Sequence, residues 1–156
     1  MRNRPTLILL VFLLFVAVCP ALSSGAPDAA FDHFRSTLYA RIAEQKLDIE
    51  KNPEDPQAHF QLGLSYMALG RHHEEIAAYE EAIRLKPDFA DAHYNLGAAW
   101  DLLGEGKKAV RHTQQALFWY NAHRNHRGSR TALRELRRLK MKYRLAGPEA
   151  RDLKEE

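Results

Sequence analysis

Cysteine is all but missing from these 156 residues: Cys19 stands alone, inside an apolar run near the start. One cysteine closes no disulfide within the chain, and a chain that loses Cys19 keeps no thiol nucleophile and no thiolate metal ligand. Enzyme signatures are missing as well. There is no Gly-rich phosphate loop, no Gly-x-Ser-x-Gly, no His-Glu-x-x-His and no Cys-x-x-Cys-His. Carboxylate pairs such as Glu74-Glu75 and Glu80-Glu81 fall where an exposed, solvated helix face is expected. The reading is therefore a non-enzymatic protein with no catalytic residue and no cofactor. Histidine is plentiful, at eight residues, but no set has the spacing of a known metal site, so no metal is expected. His72 and His73 are adjacent and diverge on a helix. His123 and His126, three apart, are expected to share a face with His112 nearby.

Long apolar runs are scarce too. The one present, Leu7 to Cys19, has 13 residues, short of the ~20 that a spanning helix needs. Arg2 and Arg4 precede it, Pro20 ends it, and Ala21, Ser23, Ser24, Gly25 and Ala26 follow. A basic start, a short apolar run and a small-residue tail make a secretory signal peptide over residues 1–23. A cut after Ser23 is expected, one after Gly25 is nearly as good, and an uncleaved N-terminal anchor is the alternative. A lipid on Cys19, as in bacterial lipoproteins, is disfavoured by Val18, where that signal wants a small residue. The expected location is the bacterial periplasm or cell envelope. The whole chain is 28% charged and 46% hydrophobic, which suits one globular domain with a modest core.

An internal repeat organises that domain. A shift of 34 residues aligns Ala58 with Ala92, His59 with His93, Leu62 with Leu96 and Gly63 with Gly97. It also aligns Leu69 with Leu103, Gly70 with Gly104 and Ala82 with Ala116. Phe60/Tyr94, Gln61/Asn95, Tyr66/Trp100 and Ile76/Val110 are conservative pairs in between. Each unit reads as two helices. In the first, Pro56 suits an opening turn, Gly70 a left-handed helix end, and Pro87 stops a second helix over 72–85.

This pattern resembles the tetratricopeptide repeat. The first unit supplies Leu62, Gly63, Tyr66, Tyr79, Ala82 and Pro87; the second supplies Leu96, Gly97, Trp100, Ala109 and Ala116. His59 and His93 stand where Trp is usual, and are expected to pack in its place. Glu75 replaces Ala, Thr113 replaces the aromatic, and Asn121 replaces Pro, so the last helix is expected to run past Tyr120. The resemblance implies an all-α fold: a short right-handed helical-repeat solenoid of antiparallel helix pairs, with a long N-terminal helix and a C-terminal capping helix. The repeats are residues 56–89 and 90–123. Upstream, Ile42/Ile76, Ala43/Ala77, Ile49/Ile83 and Pro53/Pro87 also match at 34 residues, so residues 24–55 read as half a degenerate repeat, with a helix over 29–51. Downstream, residues 124–147 read as a basic cap whose helix covers 129–145. Ser129 is its start, Leu133, Leu136, Leu139 and Tyr143 form its apolar stripe, and Gly147-Pro148 ends it. Residues 148–156 form a flexible charged tail.

The resemblance also implies a groove lined by the first helix of each repeat. That places Gln57, Phe60, Leu64, Met67 and Ala68 there, with Asp91, Tyr94, Ala98, Asp101 and Leu102. Phe60, Leu64, Met67 and Ala68 recur at helical spacing on a second apolar face, one suited to a peptide or to burial under the N-terminal helix. One subclass of the family grips a peptide carboxylate with Lys, Arg and Asn. Asn95 matches one of those positions, but Phe60, Leu64 and Ala98 carry no charge, so that clamp is not expected.

Charge is segregated along the chain. Residues 28–91 hold thirteen acids and seven bases; residues 124–145 hold nine bases and the single acid Glu135. Arg134, Arg137, Arg138 and Lys142 are the candidate basic cap. The expected function is an exported adaptor or scaffold that binds a protein or peptide through groove and cap. The alternative is an envelope accessory protein using histidines for metal or the basic helix for an anionic membrane surface. Nucleic acid is not expected as a partner; stacking with a second copy would lengthen the solenoid.

Overall fold

The computed structural model describes residues 26–144, and the chain divides into two units, residues 1–36 and 37–156. The leader run, its cleavage point, Gly147-Pro148 and the charged tail lie outside the described residues. All regular structure among the described residues is α-helix, and none of these helices is long and apolar enough to cross a membrane.

In the first unit, residues 26–36 form the opening turns of helix α1 (Ala26–Lys51), which starts three residues before the expected position 29. Arg35 pairs with Asp32 at 3.0 Å. The Ser36 hydroxyl donates to the His33 carbonyl at 2.8 Å.

The second unit holds the rest of α1 and five further helices: α2 (Pro56–Ala68), α3 (His72–Leu85), α4 (Ala90–Leu102), α5 (Gly106–Ala122) and α6 (His126–Lys142). Their ends follow from local chemistry. The Asp55 carboxylate caps α2 by accepting from the Gln57 amide at 2.9 Å, and Pro56 fills the first turn, where no amide is needed. Gly70 and Gly104, at φ 69° and 78°, close α2 and α4 in the left-handed conformation. Pro87 has no amide to continue α3. In α5 that proline is Asn121, and the helix runs on to Ala122.

The 34-residue period is also a packing period. Ile42 of α1 shares a buried cluster with Leu62 and Tyr66 of α2. Ile76 of α3 shares one with Leu96 and Ala99 of α4. Val110 of α5 shares one with Leu136 and Leu139 of α6. Helix pairs approach where side chains are small. A Cβ on Gly63 would lie 2.4 Å from the Tyr79 ring, so the glycine forms the seat for that ring. At Gly97 the matching partner is Thr113, and the helices close further: a Cβ there would lie 3.1 Å from the Ala109 carbonyl oxygen. The Thr113 hydroxyl donates to that same oxygen at 2.8 Å.

The two repeat histidines do one job twice. His59 Nε2 meets the Pro53 carbonyl at 2.9 Å, and His93 Nε2 meets the Pro87 carbonyl at 3.1 Å. Each ring ties the first helix of a repeat to the turn before it. A ring N–H directed at a carbonyl is something indole could also supply.

The capping helix departs from expectation at both ends. Asn125, rather than Ser129, is its cap: the Asn125 side chain accepts from the Gly128 amide at 2.9 Å. Ser129 lies inside the first turn and donates to the Asn125 carbonyl at 3.0 Å. The cause is the overrun of α5, after which Arg124 turns the chain at φ 55°. Helix α6 therefore begins at His126, 36 residues after the start of α4, and its buried face is Ala132, Leu136 and Leu139. Leu133, expected in that stripe, stays exposed. The helix ends at Lys142, and Arg144 follows at φ 52°.

Candidate interaction surface on the first repeat helices

Of the residues expected in the groove, Phe60 is misplaced. It is 8% exposed and packs between the rings of Tyr79 (5.7 Å) and Phe89 (4.9 Å). An apolar residue on a solenoid helix has two sheltered sides to choose from, and Phe60 faces the next repeat. Leu64 packs half-buried on the same core. Gln57, Met67 and Ala68 are exposed on α2; Asp91 and Leu102 are exposed on α4, with Tyr94 and Ala98 half-buried. Met67, 44% exposed, and Leu102, 64% exposed, are the large apolar side chains left open on these two helices. Burial under the N-terminal helix does not account for this face in the second unit: Ile42 and Ile49 of α1 lie with Leu62, Tyr66 and Leu69 instead.

Asp101 lies at the C-terminal end of α4 and gathers the cap around it. Arg138 donates to one carboxylate oxygen at 2.7 Å; Lys142 and the Tyr143 hydroxyl donate to the other, each at 2.7 Å. Burial alone would raise this carboxyl, but the three donors outweigh it and hold its pKa at about 2. Arg138 also grips Glu135 from the preceding turn of α6. The expected groove residue and two of the four expected cap residues thus form a single ion cluster. Arg134 and Arg137 stay outside it, exposed, and neither forms an ion pair among the described residues. Sequence reasoning missed Tyr143 and Glu135 in this role. Tyr143 and Asp101 are 42 residues apart, a separation with no periodic signature.

At the other end of α4, Asp91 accepts from the Tyr120 hydroxyl at 2.5 Å. Burial first, and the Asp91 carboxylate second, push that phenol up. Beside them lies a pocket of about 140 Å³ lined by Lys86, Asp88, Phe89, Tyr120, His123 and Asn125. His123 meets Asp88 there at 3.1 Å.

The histidines do not assemble as expected. His123 closes α5 and His126 opens α6, so a helix break separates them. His112 lies instead against His93, with Nδ1 to Nδ1 at 3.4 Å and rings stacked 5.7 Å apart. Because His93 Nε2–H is committed to the Pro87 carbonyl, His93 Nδ1 is the acceptor and His112 Nδ1–H the donor. Burial lowers both pKa values, and the neighbouring His93 and Arg111 help to bring His112 to about 4. Glu75 is also corrected. It is 1% exposed rather than on a solvated face; burial raises its pKa, and His72 Nδ1 bonds it at 2.8 Å. Among the described residues, no group of three or more His, Cys, Asp or Glu could hold a metal ion.

Paired antiparallel helices, a 34-residue packing period and glycine seats for bulky neighbours define a helical-repeat solenoid. Residues 65–104 match the family model described as a TPR repeat, and the fold of the described residues is that of a TPR repeat. Solved structures agree in fold. The TPR2B domain of yeast Sti1, in complex with pHsp70, is 18% identical and superposes with a TM-score of 0.64 over 70% of this chain and 88% of that one. The type III secretion translocator chaperone SycD of Yersinia enterocolitica is 16% identical, with a TM-score of 0.65 over 80% and 92%. PcrH in complex with the chaperone-binding region of PopD is 13% identical, with a TM-score of 0.66 over 78% and 98%. No curated protein matches the chain by sequence.

Proposed function

We propose that the chain is an exported, non-enzymatic adaptor that holds a protein or peptide partner on the open side of α2 and α4. The observation that carries this is that Met67 and Leu102, large apolar side chains on the first helices of the two repeats, are left exposed. Methionine adapts readily to apolar ligands. The solved relatives in complex with pHsp70 and with a region of PopD support a partner of this class. The leader pattern supports export to the periplasm or envelope, with retention as an anchor the variant form.

A photo-crosslinking residue at Met67 or Leu102 should capture the partner, whereas one at Phe118, exposed on α5, should not. Capture should survive ~0.5 M salt, since apolar burial is not screened. M67D/L102D should abolish it with the fold intact. Retention of the partner by M67D/L102D sinks the reading.

A further inference from the structure

Several cations elsewhere among the described residues are paired with a nearby acid. Arg35 bonds Asp32, Lys51 bonds Asp48, Arg84 bonds Glu81 and Lys108 bonds Glu105, each three residues away. Helix α6 has far more cations than acids. Its one acid, Glu135, is spent on Arg138, and Asp101 takes the rest of Arg138 together with Lys142. Arg127, Arg130, Arg134 and Arg137 have no ion-pair partner among the described residues, and all four are exposed. Their spacing of three, four and three places them in one straight line along the helix. Met141, four residues further, continues the line and is 74% exposed. Like charges at these spacings destabilise a helix, so this arrangement runs against folding.

We propose that this stripe is a docking surface for an anionic lipid membrane. It does not rest on the peptide-binding reading, which uses other residues. The stripe runs along the side of α6 opposite the buried Ala132, Leu136 and Leu139, and the pocket beside Asp91 is lined by other residues. A straight line of exposed cations matches a plane of charge better than a shaped protein socket. Arginine stems can lie along the headgroups while the guanidinium groups reach phosphate. Met141 supplies an apolar tip at the headgroup boundary, as membrane-surface helices do. The Asp101 cluster keeps α6 fixed on the solenoid, so the line is presented ready-made.

The test is co-sedimentation of the full chain with two kinds of vesicle, phosphatidylcholine alone and phosphatidylcholine containing phosphatidylglycerol. The wild-type chain should partition to the anionic vesicles and be released by ~0.5 M salt. R130Q/R134Q/R137Q should lower that partitioning by about a hundredfold, roughly fivefold per arginine. R130K/R134K/R137K, which keeps the charge, should bind nearly as the wild type does. Circular dichroism should show all three folded alike. Equal binding of wild type and R130Q/R134Q/R137Q to both vesicles would overturn the proposal, assigning adsorption to the apolar leader run. Wild-type chain that ignores anionic vesicles yet is retained on polyglutamate would overturn it as well, in favour of an acidic protein.

Discussion

Substitution of Asp101 by Asn removes one charge from the ion cluster and almost no volume. The magnitude follows from the pKa. The folded carboxyl sits at about 2 against an ordinary 3.8, and each unit is worth ~1.4 kcal/mol, so the cluster favours the carboxylate by about 2 kcal/mol. Arg138 and Lys142 are about half exposed, so water screens part of this, and about 1–2 kcal/mol is the expected loss. A carboxylate whose pKa falls on folding stabilises above its unfolded value and loses that contribution as pH drops through its folded value. Urea unfolding followed by circular dichroism should therefore separate wild type from D101N by a constant amount between neutral pH and about pH 5, with the gap closing between pH 4 and 2. A double-mutant cycle with R138Q should give a coupling of at least about 0.5 kcal/mol. If D101N is as stable as wild type at neutral pH and low salt, or if the gap persists at pH 2, the ion cluster does not hold the cap.

Acid should act through the histidine pair as well. His93 and His112 titrate below the usual 6.5, so the folded state resists protons that the unfolded chain accepts. The loss through His112 should be absent above pH 6.5, grow to about 3 kcal/mol as pH approaches 4, and level off there. Urea titrations across that range should flatten in H112Q; an unchanged slope assigns the acid sensitivity elsewhere. Arg124→Gly should raise the urea midpoint by the equivalent of about 0.5–1 kcal/mol, because φ 55° suits glycine better than a residue carrying a Cβ. A lowered midpoint would mean that the arginine side chain contributes more than the strained backbone costs.

The helices were legible because apolar periodicity, glycine and proline are local signals. Helix α3 over 72–85 follows directly from His72, Leu85 and Pro87. Partner choice was less legible. The apolar spacing through Phe60, Leu64 and Met67 identifies a face without saying which neighbour covers it, and the face splits: Phe60 enters the core while Met67 stays open. Glu75 read as surface because an acid beside another acid usually is; only the fold reveals that His72 closes over it. Arg138, Lys142 and Asp101 looked like separate features because 37 and 41 residues divide them. Charge composition located the basic segment but could not divide it into the cations spent on Asp101 and those left along the outer line.

The two extra residues between α4 and α6 carry a consequence for sequence change. At a strict 34-residue spacing, Arg130 would stand at the position of Leu96, which is fully buried. At 36, that position belongs to Ala132, and Trp100 and Leu103 correspond to Leu136 and Leu139. Surface connections usually accept insertions and deletions with little penalty. Between Tyr120 and His126 they would not: removing two residues would turn α6 by more than half a revolution and drive a guanidinium into the interior. The connection's length, more than its composition, is what inheritance has to preserve there.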